Sequence, residues 1–291
     1  MPACVATLTK QIDDEVIRAM GLPLDGWLAD RVHAVLGRAT RPFSEMFAEV
    51  DGIVEQQGLQ AGAAWLLRRV TSGFEARGAE NVPAGGPLLI ACNHPGTVDS
   101  LVLAAAAQRP DLKIIASAVP FLQSLPNIRD HLIFAPKPVH VQARMLALRE
   151  SIRHLQAGGA LLLFGHGDID PDPAFMPHAE RDLAAWSHSV EIFLQRVPDL
   201  RVVVGIVSGV LDPRCMRHPL TWLRRARPDR QRLAMMLQVI QQMLGRQFAL
   251  TPRVSFGEPL DVARLGPADG ALPAITQQAQ LLLQSHLSWQ P

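Results

Sequence analysis

No stretch of this 291-residue chain is apolar for long enough to cross a bilayer. Spanning takes about 18 to 20 apolar residues in a row. The longest apolar runs, such as Leu101 to Ala107 and Ala160 to Phe164, suit core elements instead. The N-terminus also lacks the charged-then-apolar pattern of a secretory signal. Cysteine is scarce. Cys4, Cys92 and Cys215 are odd in number and far apart. That argues against a disulfide framework and for a reducing, cytoplasmic setting. No Cys/His spacing suits structural zinc. Charge of one sign is lacking too, with 28 Lys and Arg against 27 Asp and Glu. The balance gives no reason to expect a nucleic-acid partner. Tyrosine is absent altogether, for no evident physical reason. What is present is an ordinary globular composition, 48% hydrophobic, in a chain long enough to bury a large core.

Hydrophobic periodicity divides the chain in two. Residues 10 to about 76 carry apolar positions at helical spacing, through Trp27, Leu28, Phe43, Phe47, Val50, Val54, Leu66 and Val70. Pro42 and Gly58 read as breaks between helices. Residues 1–77 are therefore expected to form a helical subdomain. Ordinary packing against the core is the simpler role for it, and an amphipathic platform against a membrane is the alternative. From residue 78 to 291 strands and helices alternate. Strands are expected at 87–91, 113–116, 132–135, 160–164, 201–207 and 253–256. Helices are expected at 100–108, 142–156, 181–195, 229–245 and 273–287. Continuous apolar strands such as Leu161 to Phe164 fit a buried, parallel interior. The fold class is α/β: a mixed, mostly parallel central sheet flanked by helices, with the N-terminal helical subdomain.

The most informative stretch is Cys92 to Asp99, Cys-Asn-His-Pro-Gly-Thr-Val-Asp. It follows the apolar run Pro87 to Ala91. Pro95 removes a donor and Gly96 permits a sharp turn, so the strand must end there. A helix follows, which Thr97 or Asp99 could cap. His94 then lies on a turn with Asp99 at the helix mouth. Such a turn can bring the carboxylate to one imidazole nitrogen and leave the other free. This is the general-base half of a triad without its own nucleophile, and it must activate a hydroxyl that the substrate brings. Cys92 ends an apolar strand on the face opposite Asn93 and reads as core packing.

A second stretch, Phe164-Gly165-His166-Gly167-Asp168-Ile169-Asp170-Pro171-Asp172-Pro173, also follows a buried strand. Its glycines permit close backbone approach, and its N–H groups could face a developing oxyanion. Its three aspartates do not make an EF-hand. Pro173 stands where the glycine belongs, and the closing glutamate is missing.

Asn93-His94 with Asp99 resembles the NHxxxxD motif of the glycerolipid acyltransferase family, which includes the lysophosphatidic acid acyltransferases. Phe164 to Gly167 sits where that family has Phe-Pro-Glu-Gly, about seventy residues on. Lys113 to Pro136 resembles the block that shapes its acceptor pocket, and Val202 to Pro213 its later strand and loop. The resemblance covers residues 78 to 215. It implies that His94 is the general base, oriented by Asp99, and that an acceptor hydroxyl attacks the thioester of acyl-CoA or acyl carrier protein. It implies no bound cofactor, only that co-substrate. It makes Asn93, Gly96, Thr97, Gly165, His166, Gly167 and Lys137 candidate substrate-binding residues. The sequence departs from the family at His166, which replaces a glutamate, at Asp168-Ile169, which replace Thr-Arg, and near Pro136, where Lys137 substitutes for an arginine.

Arg214 to Arg232 holds seven arginines against one acid, Asp229, with Leu220, Trp222 and Leu223 interleaved. A solvated face before a helix is the simpler reading; the functional one is an anionic surface, whether lipid headgroups, CoA phosphates or an acidic carrier protein, with an anionic membrane attracting such a segment at about 1 kcal/mol per basic residue. The expected protein is a cytoplasmic, peripheral-membrane acyltransferase with a thioester donor and a lipid acceptor. A thioesterase, with water in place of the acceptor, and a non-catalytic lipid-binding protein are the competing readings. Gly205 to Gly209 lacks the spacing of a nucleophile elbow, which disfavours an α/β-hydrolase.

Overall fold

The computed structural model of the protein describes residues 3–19, 24–135, 141–261 and 270–289. The N-terminal quarter is helical: α1 (Val5–Ala19), α2 (Trp27–Gln57) and α3 (Leu59–Val70). Pro42 does not end a helix, contrary to the sequence expectation; α2 runs through it. A proline there removes one main-chain hydrogen bond. The helix persists because it packs along α1 and α3, and because Thr40 Oγ1 reaches the buried Asp13 at 2.6 Å. Gly58, with φ +85°, does end α2 and begins α3. A Cβ on Gly62 would stand 2.5 Å from a Val54 methyl, so glycine is what lets these two helices approach.

The sheet follows, with its covering helices. In chain order the elements are β1 (Glu75–Arg77), β2 (Leu88–Cys92), α4 (Asp99–Ala107), β3 (Leu112–Ser117), α5 (Pro120–Gln123), α6 (Pro126–Arg129) and β4 (Leu132–Ala135). Next come α7 (Val141–Gln156), β5 (Ala160–Phe164), α8 (Ala179–Ala184), α9 (Ser189–Arg196), β6 (Arg201–Ser208) and α10 (Pro213–Met216). A 3-10 turn (Pro219–Leu223), α11 (Arg227–Met243), β7 (Arg253–Phe256), β8 (Leu260–Asp261) and α12 (Ala271–Ser288) complete it. The strand order is β1-β7-β6-β2-β5-β3-β4, with β8 on β6. β2 pairs in parallel with both β5 and β6, and β3 with β5 and β4. Among the described residues only the pairings of β6 with β7 and β8 are antiparallel. This is the mixed, mostly parallel sheet that the strand pattern predicts.

Period-two alternation divides the core into two layers. Leu88, Ile90 and Cys92 face α3 and α4, in a cluster that also takes Val50 and Leu67 from the N-terminal helices. Leu89 and Ala91 face the other side, with Phe193 of α9 and Ile275 of α12. Every residue of β2 is buried. The middle strands are thus covered on both faces, as parallel strands require. The expected helix over 181–195 is instead two helices, α8 and α9. Between them Trp186 turns into the core against Gly165, and the Ser187 N–H donates to the Gly165 carbonyl at 2.8 Å. Among the described residues no helix is long and apolar enough to cross a membrane.

Candidate active site

β2 and β5 are parallel neighbours in register, Cys92 opposite Phe164. Their C-terminal ends therefore deliver the two loops, 93–98 and 165–172, to one edge of the sheet, where open α/β sheets hold their sites. His94 Nδ1 is 2.8 Å from Asp99 Oδ2. Asp99 is the first residue of α4 and is 1% exposed, while the His94 side chain is 30% exposed. The other oxygen of Asp99 accepts the Ser100 N–H at 2.6 Å, and Oδ2 also accepts the Gly96 N–H at 3.0 Å. This carboxylate is fixed by its own turn before it meets the imidazole, and it accepts Nδ1–H. His94 Nε2 has no protein partner among the described residues. Phe164 stacks on the His94 ring at 4.2 Å. Burial works against the imidazolium, but Asp99, with help from Asp170 and Asp168, more than offsets it. The His94 pKa is raised above its ordinary value.

The other predicted site residues fall into three groups. Asn93 is buried and engaged within the fold. Its amide donates to the Val207 carbonyl at 2.9 Å and accepts the Val207 N–H at 2.8 Å, which ties β2 to β6. Gly96 and Gly165 are places where a side chain would collide. A Cβ on Gly96 would stand 2.7 Å from a Val210 methyl, and one on Gly165 would enter the Trp186 ring. The amides of Gly165 and Gly167 already donate, to Cys92 and Phe164 carbonyls at 2.9 and 3.1 Å. They are not free to serve an oxyanion, as the sequence reading allowed. Of Thr97 and His166, only the second is open to a ligand. Thr97 Oγ1 is buried without a protein partner, and the His166 side chain is 27% exposed. Lys137 lies outside the described residues. Cys92 is fully buried, and burial pushes its thiol well up, so it offers no thiolate.

The aspartates of the second loop are scaffold. Asp170 Oδ2 accepts the His94 N–H at 2.7 Å, and the Asp170 N–H donates to the His94 carbonyl at 2.9 Å. Its Oδ1 stands 3.0 Å from His166 Nδ1, and this carboxylate raises the His166 pKa, with burial opposing. Asp172 is fully buried and accepts the N–H groups of Ala174, Gly209, Val210 and Leu211 at 2.8 to 3.1 Å. It thereby locks the loop after β6 to the loop after β5. Asp168 pairs with Arg232 at 2.5 Å. From α11 the buried Gln231 donates to the carbonyls of Pro95 at 2.9 Å and Asp170 at 2.6 Å, one in each site loop. Arg227 holds Ile169 O and Asp182. His166, Asp170 and Asp182 bring one ligand atom each within 4.8 Å of one another. The Arg227 guanidinium on Asp182 supplies the positive charge a cation would bring, so we read this as a charge cluster.

The site is a buried carboxylate orienting a half-open imidazole at the C-terminal ends of parallel strands, with no activated nucleophile beside it among the described residues. Known proteins share features with this chain. Residues 73–180, which span both loops, match the family model described as Acyltransferase. The fold is similar to the crystal structure of the 1-acyl-sn-glycerophosphate (LPA) acyltransferase PlsC from Thermotoga maritima. That likeness has a TM-score of 0.50 at 14% identity and covers 99% of this chain and 98% of that one. No curated protein matches the sequence. Residues 73–180 thus resemble the acyltransferase family in sequence, and the fold of the chain is similar to that of a glycerolipid acyltransferase.

Proposed function

We propose that the protein moves a fatty acyl group from a thioester, acyl-CoA or acyl carrier protein, to a hydroxyl of a lysophospholipid or glycerol-phosphate-like acceptor. The observation that carries this reading is the 2.8 Å contact between His94 Nδ1 and the buried Asp99. With Nδ1–H held by a carboxylate, Nε2 is the nitrogen left to take a proton. The acceptor oxygen attacks the thioester carbonyl as His94 removes its hydrogen, and the thiolate of the donor leaves. Asp99 then sits beside the imidazolium that forms. Base assistance of this kind contributes ~10² to 10⁴ in rate. His166 stands ready to meet the acceptor, and Lys137 remains a candidate for its phosphate.

The acceptor is reached at an anionic membrane surface through Arg214 to Arg232. Three of the seven arginines serve the fold: Arg214 pairs with Asp212, Arg227 with Asp182, and Arg232 with Asp168. Arg217, Arg224 and Arg225 are exposed. Beside them Trp222 and Leu223 are 67% and 77% exposed. An exposed indole among arginines suits the water–lipid boundary.

The test is thiol release from palmitoyl-CoA with a panel of lysophospholipid and glycerol-phosphate acceptors, run beside folded His94→Ala. Release that needs both an acceptor and His94 is expected. Full release by His94→Ala would overturn the base assignment. Release with no acceptor would make the protein a thioesterase.

A further inference from the structure

On the face of the sheet away from the N-terminal helices, α7 and α9 leave a groove of about 480 Å³ between them. Leu148 and Ile152 form its floor, partly buried against the core, and Ile192 faces them from α9, more than a third exposed. Its rim carries Arg149 and Arg153 of α7 and Arg196 of α9, all exposed. None of these three guanidinium groups makes an ion pair among the described residues. The adjacent acids are engaged elsewhere: Glu150 with Lys113 at 3.2 Å, and Glu191 with His188 at 2.7 Å. From Met145 to Gln156 the groove follows α7 for about 16 Å, three turns of helix.

We propose that this groove docks an acidic amphipathic helix of a carrier protein bearing the acyl thioester. The inference rests on the acyl-transfer reading above and names its donor. An apolar floor with a cationic rim on both sides complements a helix whose apolar stripe is edged by carboxylates. A concave track holds a rod; the flat surface of a membrane would meet a convex feature such as Trp222 and Leu223. One end of the groove, at Met145, faces the edge of the sheet that carries the site, and the other, at Gln156 and Arg196, the opposite edge. α7 follows β4, and α9 follows the loop after β5 and α8, so both helices begin toward the strand ends where His94 lies and run away from them. At the start of α9, Ser187 is hydrogen-bonded to Gly165, next to His166. A carrier seated there presents its thioester arm at the site end of the sheet.

The experiment compares two donors, palmitoyl on a bacterial acyl carrier protein and palmitoyl-CoA, with one lysophospholipid acceptor. The proteins are wild type and the surface variant Arg149→Glu/Arg153→Glu. We expect the KM for the carrier-borne donor to rise at least tenfold in the variant, and the KM for palmitoyl-CoA and both kcat values to stay within twofold. Binding of the unloaded carrier protein, measured by titration calorimetry, should weaken equally and fall with salt. An equal loss with both donors, no loss with the carrier, or a wild type that uses palmitoyl-CoA alone would each overturn the docking site and leave the acyl-transfer reading standing. Concentration-dependent self-association abolished by the variant, with donor kinetics unchanged, would assign the groove to a second copy of this chain and also overturn it. Transfer from neither donor would remove both readings.

Discussion

The core, not a carboxylate, sets the titration of His286. This histidine lies on α12 and is 2% exposed. Its two ring nitrogens meet hydroxyls from two strands, Ser208 of β6 at 2.7 Å and Ser255 of β7 at 2.8 Å. Neither is a counter-ion. Burial, and then the positive charge of Arg253, lower its pKa to about 4. An unfolded histidine titrates near 6.5. Protonation therefore favours the unfolded chain. The stability this residue contributes is complete above pH 6.5, falls as pH drops through the interval from 6.5 to 4, and is gone below that. At about 1.4 kcal/mol per tenfold change, about 2 kcal/mol is lost by pH 5, approaching about 3 kcal/mol at the acid limit. Against a total of ~5 to 15 kcal/mol this is a large fraction. The assay is urea denaturation followed by circular dichroism at pH 8, 6.5 and 5, on wild type and His286→Gln. Gln keeps a donor and an acceptor between the serines and removes the titration. Other groups change protonation equally in both proteins, so the difference isolates His286. The wild type should lose about 2 kcal/mol more than the variant between pH 8 and 5. Parallel pH slopes would refute the reasoning, because they would show that the imidazole is not held neutral by the fold.

Three further outcomes follow from other parts of the structure. His94 is raised by Asp99, so the neutral base is depleted as pH falls. kcat/KM should drop through an inflection above 6.5, and Asp99→Asn should both slow transfer and move that inflection down; an unmoved inflection would detach Asp99 from the base. Arg109 is buried, grips Asp111 through two 2.7 Å contacts and donates to the carbonyls of Pro83, Gly86 and Gly158. Arg109→Ala should cost about 3 kcal/mol in urea unfolding, because three carbonyls and a carboxylate lose their donor; a loss below about 1 kcal/mol would mean that water replaces it. Neutralising Arg217, Arg224 and Arg225 to Gln should weaken sedimentation with phosphatidylserine liposomes at least tenfold and leave the circular dichroism spectrum unchanged. Equal binding by the variant would move the membrane contact elsewhere.

What the sequence makes legible here is what is local. His94 and Asp99 can be paired on paper because five residues of one tight turn separate them, and turn chemistry is decided by the Pro and Gly between them. The strands of the middle sheet can be read because burial on both faces forces continuous apolar runs. Pro42 misleads because a proline's local cost is outweighed by packing on both sides of it, which the sequence does not display. The break between α8 and α9 hides because Trp186 leaves the helix for a space that only Gly165, twenty-one residues earlier, can provide. β1 and β8 are three and two residues long and carry no period of their own.

The least legible part is what holds the site together. Asp168, Asp170 and Asp172 look alike as a run of alternating acids, and their spacing invites a cation. In the fold they separate by depth. Asp168, near the surface, pairs with an arginine. Asp170 is exchanged with the backbone of His94, and Asp172 collects four amides from two loops. Four N–H groups on one buried carboxylate do the work of a metal ion by fixing converging loops without bringing a charge that would compete with the imidazole. Burial still holds the Asp172 carboxyl above the usual range, so the clamp depends on the amides being in place together. Gln231, 136 residues from Pro95, closes the same arrangement from α11. No period or motif announces such a residue, because its partners are carbonyls, which every residue has. The His94–Asp99 pair is therefore written in one turn of chain, and the geometry that holds it is distributed over three loops and a distant helix.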